Sequence, residues 1–240
     1  MISDSALRST GYALLAAEPG EVSDEAARNR VERALGELAE PIVVFAGIGR
    51  WREIGVRTDR APERSEGVGA SPLHLDFVNA HNPPDLVGLC CHRPDPRGGG
   101  VTVLAPAAAA ENLSARDRRL LRRREFRDGR VENLINIGLD VNPFAVLDHD
   151  PHWPFRYTHH LRHPEPEVQT ALDHLAAELA ACRILLPLRA GQAVLIDQHR
   201  WVHGKTPLGP GQRELRPDRR RLLGQIFGRG HDNPYRERAT

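Results

Sequence analysis

Apolar positions recur at helical spacing in two long stretches of the chain. In residues 23–40, Ala27, Val31, Ala34, Leu35 and Leu38 fall on one face. Ser23 stands at the N-cap position, with Asp24 and Glu25 in the first turn, where carboxylates suit the helix dipole, and Pro41 stops the helix. In residues 165–183 the same spacing returns through Val168, Leu172, Leu175, Leu179 and Cys182. A shorter helix follows Ser114, with Asp117 at the capping-box position and Leu120 and Leu121 facing inward. The remaining apolar runs are short and bounded by Gly, Pro or Asn: 42–46, 86–91, 101–104, 134–137, 144–147, 193–197 and 222–227. These read as strands. Residues 1–22 read as a small leading helix. The charged, Gly- and Pro-containing stretch 47–70 has no period, and 57–69 is expected as a mobile loop. With no repeat and no linker, the pattern predicts a single domain over residues 1–240, mixed α/β and β-centred.

Composition narrows the function classes. Lys+Arg number 33 against Asp+Glu 32, so the overall balance does not point to nucleic acid or an anionic membrane. The arginines at 116, 118, 119, 122, 123 and 124 cluster around the helix after Ser114. A basic helix of this kind is the sequence feature behind an alternative, nucleic-acid-binding reading, but no binding motif frames the run and a solvated face explains it. Three cysteines, of which Cys90 and Cys91 are adjacent, do not make a disulfide framework or a Cys-x-x-Cys zinc site. No signal segment opens the chain and no apolar run reaches membrane-spanning length, so the expectation is a cytoplasmic protein that does not enter a membrane.

The candidate chemistry starts at Pro72-Leu73-His74-Leu75-Asp76. In extended backbone, residues two apart project to the same side, so His74 and Asp76 converge. One imidazole and one carboxylate suit a divalent transition metal, with a third ligand supplied from elsewhere in the chain. With twelve histidines such pairs also arise by chance, as in Asp148-His149-Asp150. The stretch 193–208 offers the best donor in His203, with His199 four residues earlier as its rival.

Taken together, Pro72-Leu73-His74-Leu75-Asp76 and Gly191 through Leu195-Ile196-Asp197-Gln198 to His203-Gly204-Lys205-Thr206-Pro207 resemble the Fe(II)/2-oxoglutarate-dependent oxygenases. Within these the similarity is to the clavaminate synthase and taurine dioxygenase group. Gln198 replaces that group's usual Asn and Lys205 its usual Arg. The resemblance implies a double-stranded β-helix, or jelly roll, with flanking helices. It implies Fe(II) held by His74, Asp76 and His203 rather than His199, with 2-oxoglutarate and O2 as cosubstrates. Alignment of Arg219-Arg220-Arg221 with the group's last core strand puts the 2-oxoglutarate arginine at Arg221, or at Arg220 if the register slips by one. Gln225 then stands where that group has an arginine. Thr102 resembles the hydroxyl donor to the same carboxylate. The implied substrate is a small polar, amino-acid-like molecule, free or carrier-bound, framed by loop 57–70 and segment 148–157. Arg156 would meet its carboxylate, and Asp148 or Asp150 its ammonium. Hydroxylation is the default outcome, with desaturation or cyclisation as alternatives. Asp76 argues against halogenation, which needs a small residue there. A non-catalytic jelly-roll regulator is the remaining alternative class.

Overall fold

The computed structural model describes residues 4–17, 23–128, 135–138 and 143–233. Its strands form two antiparallel sheets. The larger runs β1 (Tyr12–Leu15), β8 (Ala193–Asp197), β5 (Leu86–Arg93), β10 (Leu222–Gly230) and β2 (Ala39–Ile42), with β3 (Arg52–Gly55) also on β10. The smaller runs β4 (Ser71–His74), β9 (Trp201–Lys205), β6 (Thr102–Pro106) and β7 (Ile184–Leu186). The helices are α1 (Asp4–Thr10), α2 (Asp24–Gly36), α3 (Ala115–Leu121) and α4 (Pro166–Ala181).

Alternation along the central strands explains the layering. On β8, Ala193 and Leu195 join one apolar cluster with Val31 and Leu35 of α2, while Val194 and Ile196 join another with Leu104 of β6. On β10, Ile226 and Phe227 divide in the same way. The larger sheet is therefore buried on both faces, by α2 outside and by the smaller sheet inside, which is why its strands read as continuous apolar runs. The outer face of the smaller sheet is covered by α4, whose Val168, Leu172, Leu175 and Leu179 meet Ala105 and Val202.

Helices α2, α3 and α4 lie where the periodicity puts them. The Ser23 hydroxyl accepts from the Ala26 N–H at 3.1 Å, and that of Ser114 from Asp117 N–H at 3.0 Å. The strand expectations need correction in several places. The leading segment is a helix of about two turns followed by strand β1, not helix alone. Helix α2 ends at Gly36, and the following strand covers Ala39–Ile42, so Pro41 lies within β2. This is tolerated because β2 is an edge strand whose missing N–H breaks no central ladder. Residues 135–138 form no strand, and residue 134 lies outside the described residues; 144–147 makes only isolated bridges, Phe126 to Phe144 and Leu147 to Phe155. Residues 57–69, expected to be mobile, are closed on themselves. Arg57 N–H donates to Glu66 O at 2.8 Å and Gly69 N–H to Pro62 O at 2.9 Å.

Candidate active site

Strands β4 and β9 pair antiparallel with His74 directly opposite His203. Gly204 makes that approach possible, since a Cβ there would stand 2.4 Å from Ser71 O. The chain leaves β4 after His74 and turns sharply: Phe77 has φ +58 and packs edge-on against Phe45 and Phe227. The turn delivers Asp76 beside the two imidazoles. His74 Nε2 is 3.8 Å from Asp76 Oδ1, and His203 Nε2 is 3.3 Å from Asp76 Oδ2.

The groups around these three residues aim them. His74 Nδ1 lies 2.8 Å from the Pro72 carbonyl, so with the proton on Nδ1 the lone pair of Nε2 faces the centre. Gln198, fully buried, accepts from Asp76 N–H at 2.9 Å and donates to Pro84 O at 2.7 Å. Gln225 Nε2 donates to Asp76 Oδ2 at 3.3 Å. Burial alone would raise the Asp76 carboxyl, but His203, His74 and the nearby Arg52 guanidinium outweigh it and hold it below the usual carboxylate range. One acceptor oxygen set and two ring nitrogens thus converge, with their ligand atoms all within 4.8 Å of one another. That donor set and spacing fit one Fe(II) or a similar ion. His199 is elsewhere: its Nε2 is 2.6 Å from Asp85 Oδ1.

These side chains line a cleft of about 1120 Å³, its solvent mouth included. Thr102 opens β6, opposite Lys205, and lines the cleft while itself buried. Arg221 lines it too and is 5% exposed, whereas Arg220 is half-buried and donates to Leu215 O at 3.0 Å, and Arg219 is exposed. Arg221 makes no hydrogen bond or ion pair among the described residues, and burial pushes its guanidinium down to about 10. Lys205 stands nearby. Burial, then the Arg221 charge, push its ammonium down to about 8, and it donates to Gly67 O at 3.0 Å and to Gly69 O. Two cations therefore face a cleft that contains no carboxylate paired to either.

Sequence reading did not single out Arg52, His159 or His160 as cleft residues, and it named Glu66 only as part of the loop 57–70 expected to frame the site. Arg52 lies on β3 and is bound to Glu66 at 2.7 Å, and the tilted rings of His159 and His160 lie 3.6 Å apart between centroids; all four line the cleft. No periodicity marks β3, so only its pairing with β10 reveals Arg52. The three residues named for the substrate are placed differently. Arg156 lies over the Trp153 ring at 5.7 Å and donates to Val78 O at 3.2 Å and Ala80 O at 3.0 Å. Asp148 accepts from Arg124 at 2.8 Å and from the His149 N–H at 2.7 Å, and Asp150 from the His152 N–H at 2.9 Å. None of the three is among the described residues lining the cleft. Cys90 and Cys91 are buried free thiols, and burial pushes that of Cys91 up to about 11.

Compared with known proteins, residues 4–130 match the family described as "Taurine catabolism dioxygenase TauD, TfdA family". No curated protein matches the chain. Among solved structures, an asparagine oxygenase in complex with Fe(II), 2S,3S-3-hydroxyasparagine and succinate is 20% identical, covers 93% of this chain and 77% of its own, and has a TM-score of 0.77. The non-heme iron oxygenase OrfP in complex with Fe, succinate and (3S)-hydroxy-L-Arg is 17% identical over 97% of this chain and 80% of its own, with a TM-score of 0.73. OrfP with Fe and alpha-ketoglutaric acid is 18% identical over 95% and 77%, at 0.72. At these identities the structural likeness speaks to the fold.

Proposed function

The chain belongs to the taurine catabolism dioxygenase TauD/TfdA family, and on that premise we propose that it hydroxylates an unactivated C–H bond of a small, polar, amino-acid-like molecule. It is a 2-oxoglutarate-dependent oxygenase, using Fe(II), 2-oxoglutarate and O2. The two antiparallel sheets are read as the two halves of a double-stranded β-helix, and residues 1–240 as one domain.

The observation that carries this reading is the meeting of His74, Asp76 and His203 in a cleft whose wall holds Arg221. His74, Asp76 and His203 would hold Fe(II), which would supply O2 activation coupled to decarboxylation of 2-oxoglutarate. The chain's own groups provide placement. Arg221 offers a planar, permanently charged fork to the far carboxylate of 2-oxoglutarate, and Thr102 a hydroxyl to the same group. Lys205 adds a second positive charge and ties residues 67–69 down.

Support for an amino-acid-like substrate comes from the cleft. Its lining includes Arg64 as well as Glu63 and Asp128, so charges of both signs border it. The solved relatives carry hydroxylated asparagine and arginine. The assignment of Arg156 to the substrate carboxylate and Asp148 to its ammonium requires both to leave their present partners. A nucleic-acid reading has little support, because Arg116 pairs with Glu167, Arg123 with Glu125 and Glu165, and Arg124 with Asp148. No helix among the described residues is long and apolar enough to cross a membrane.

The test is spectroscopic first. Anaerobic Fe(II) plus 2-oxoglutarate should give a weak visible charge-transfer band, abolished in His74→Ala and His203→Ala and retained in His199→Ala. A band that survives His203→Ala removes the ligand assignment. A panel of amino acids, scored by succinate formed above the uncoupled background, then tests the substrate class, and stimulation only by nucleotides or fatty acids would refute it.

A further inference from the structure

Away from the cleft, the described residues hold one other place where two imidazoles meet a carboxylate: Asp85, His152 and His199, whose ligand atoms all lie within 4.8 Å of one another. Asp85 directly precedes β5, His199 sits in the turn between β8 and β9, and His152 belongs to the segment between α3 and α4. The structure thus brings three distant parts of the chain to one end of the larger sheet. Asp85 Oδ1 is 2.6 Å from His199 Nε2 and 3.2 Å from His152 Nε2. Ligands around a tetrahedral ion with bonds of about 2.1 Å stand roughly 3.4 Å apart, so the cluster needs to open by less than about 1 Å.

We propose that Asp85, His152 and His199 bind a second divalent transition ion, of the Zn2+ class, independently of the iron site. The surroundings are those of a ligand set already oriented. The second oxygen of Asp85 accepts from the Gly230 N–H at 2.7 Å and from Asn233 Nδ2 at 2.8 Å, which leaves Oδ1 toward the imidazoles. The His152 backbone accepts a hydrogen bond from the His199 ring, whose other nitrogen faces Asp85. The His199 ring lies against Trp153, centroids 4.0 Å apart, and its backbone N–H is held by Asp197 Oδ1 at 2.8 Å.

Charge and access favour the same conclusion. No lysine or arginine pairs with Asp85 among the described residues. By contrast the third grouping of this kind, Glu125, His163 and Glu165, already has Arg123 at 2.7 and 2.8 Å from its carboxylates. An arginine supplies there the positive charge that an ion would bring. Side-chain exposure is 7% for Asp85 and 19% for each histidine, enough for entry and for a solvent molecule in the remaining position. Two nitrogens and one oxygen select a borderline ion over Mg2+ or Ca2+. The ion would clamp segment 148–157 to the sheet end next to Gln198, whose amide holds the Asp76 N–H.

The experiment is a titration of the chelator-stripped full chain with Co2+ alone, followed by visible absorption and equilibrium dialysis. We expect two ions per wild-type chain, one in His152→Ala, one in His74→Ala and none in the double variant. A wild-type chain that binds one ion, lost with His74→Ala, overturns the proposal, as does a second ion that persists in His152→Ala. A second measurement avoids the His152 substitution altogether. In His74→Ala, one equivalent of Zn2+ should slow diethyl pyrocarbonate modification of His152 and His199 at least tenfold, read by peptide mass. Unchanged modification rates at both histidines would equally refute the site. Neither readout depends on turnover, so failure of this site and failure of the oxygenase reading are separable.

Discussion

At the scale of single residues, the choice between adjacent arginines turns on which sheet face each occupies. Arg221 enters the cleft buried, and Arg220, one position earlier, turns back to the Leu215 carbonyl. Neighbours on an extended chain point to opposite sides, so the pair cannot share the role. Removing one partner of a buried, charged contact costs about 2 to 5 kcal/mol. Arg221→Ala should therefore raise the Kd for 2-oxoglutarate by roughly 30-fold or more, while Arg220→Ala changes it by less than about threefold. Isothermal titration with Mn2+ in place of iron would measure both, and a larger loss in Arg220→Ala would place the cosubstrate on the other arginine. Lys205 is a separate matter. The resembled group uses arginine at this position, and the shorter ammonium reaches two loop carbonyls, at Gly67 and Gly69.

At the scale of elements, the site depends on how closely β4 and β9 approach. His74 and His203 lie opposite each other, and Gly204 lets Ser71 O pass within the space a methyl would fill. Overpacking of this kind costs about 1 to 3 kcal/mol, and here it would also part the two ligand histidines. Gly204→Ala is expected to lower stability by about that amount in a denaturant melt and to weaken the Fe(II)/2-oxoglutarate band strongly. A variant with the lower stability but an undiminished band would show that strand spacing does not set ligand geometry. The two long helices were legible in sequence because their caps and 3.6-residue spacing are local. Strands β1, β3 and β7 were not, because a three- or four-residue strand owes its hydrogen bonds to a partner elsewhere.

For the whole molecule, Asp85 joins the start of β5, the β8–β9 turn, segment 148–157 and the residues after β10. Burial by itself would raise its carboxyl, yet hydrogen bonds from His152, His199 and Asn233 together hold it well below the ordinary range. A carboxyl depressed on folding stabilises the native state above its unfolded pKa, near 3.8, and loses that contribution as pH falls further. In chelator-stripped protein, Asp85→Asn should cost about 3 kcal/mol at pH 6 in urea melts, since it leaves two half-buried imidazoles without their partner. The difference from wild type should shrink toward pH 3, and a constant difference would rule out an ionised Asp85 as its source. The same residue shows where sequence stops being informative. The resemblance to the oxygenase group, not spacing alone, chose His203 over His199 and set Arg221 and Thr102 with the cosubstrate. Residue types and short spacings sufficed to pair His74 with Asp76 and to lay out α2, α4, β5, β8 and β10. Those features are written in local periodicity, or in side chains whose chemistry has few substitutes. Only the tertiary structure decided that His199 turns to Asp85, that Arg52 and Gln225 flank Asp76, and that Arg156 folds back on Val78 and Ala80. Each of those outcomes depends on which face a strand register presents and on which distant segment meets it, and a linear pattern carries neither.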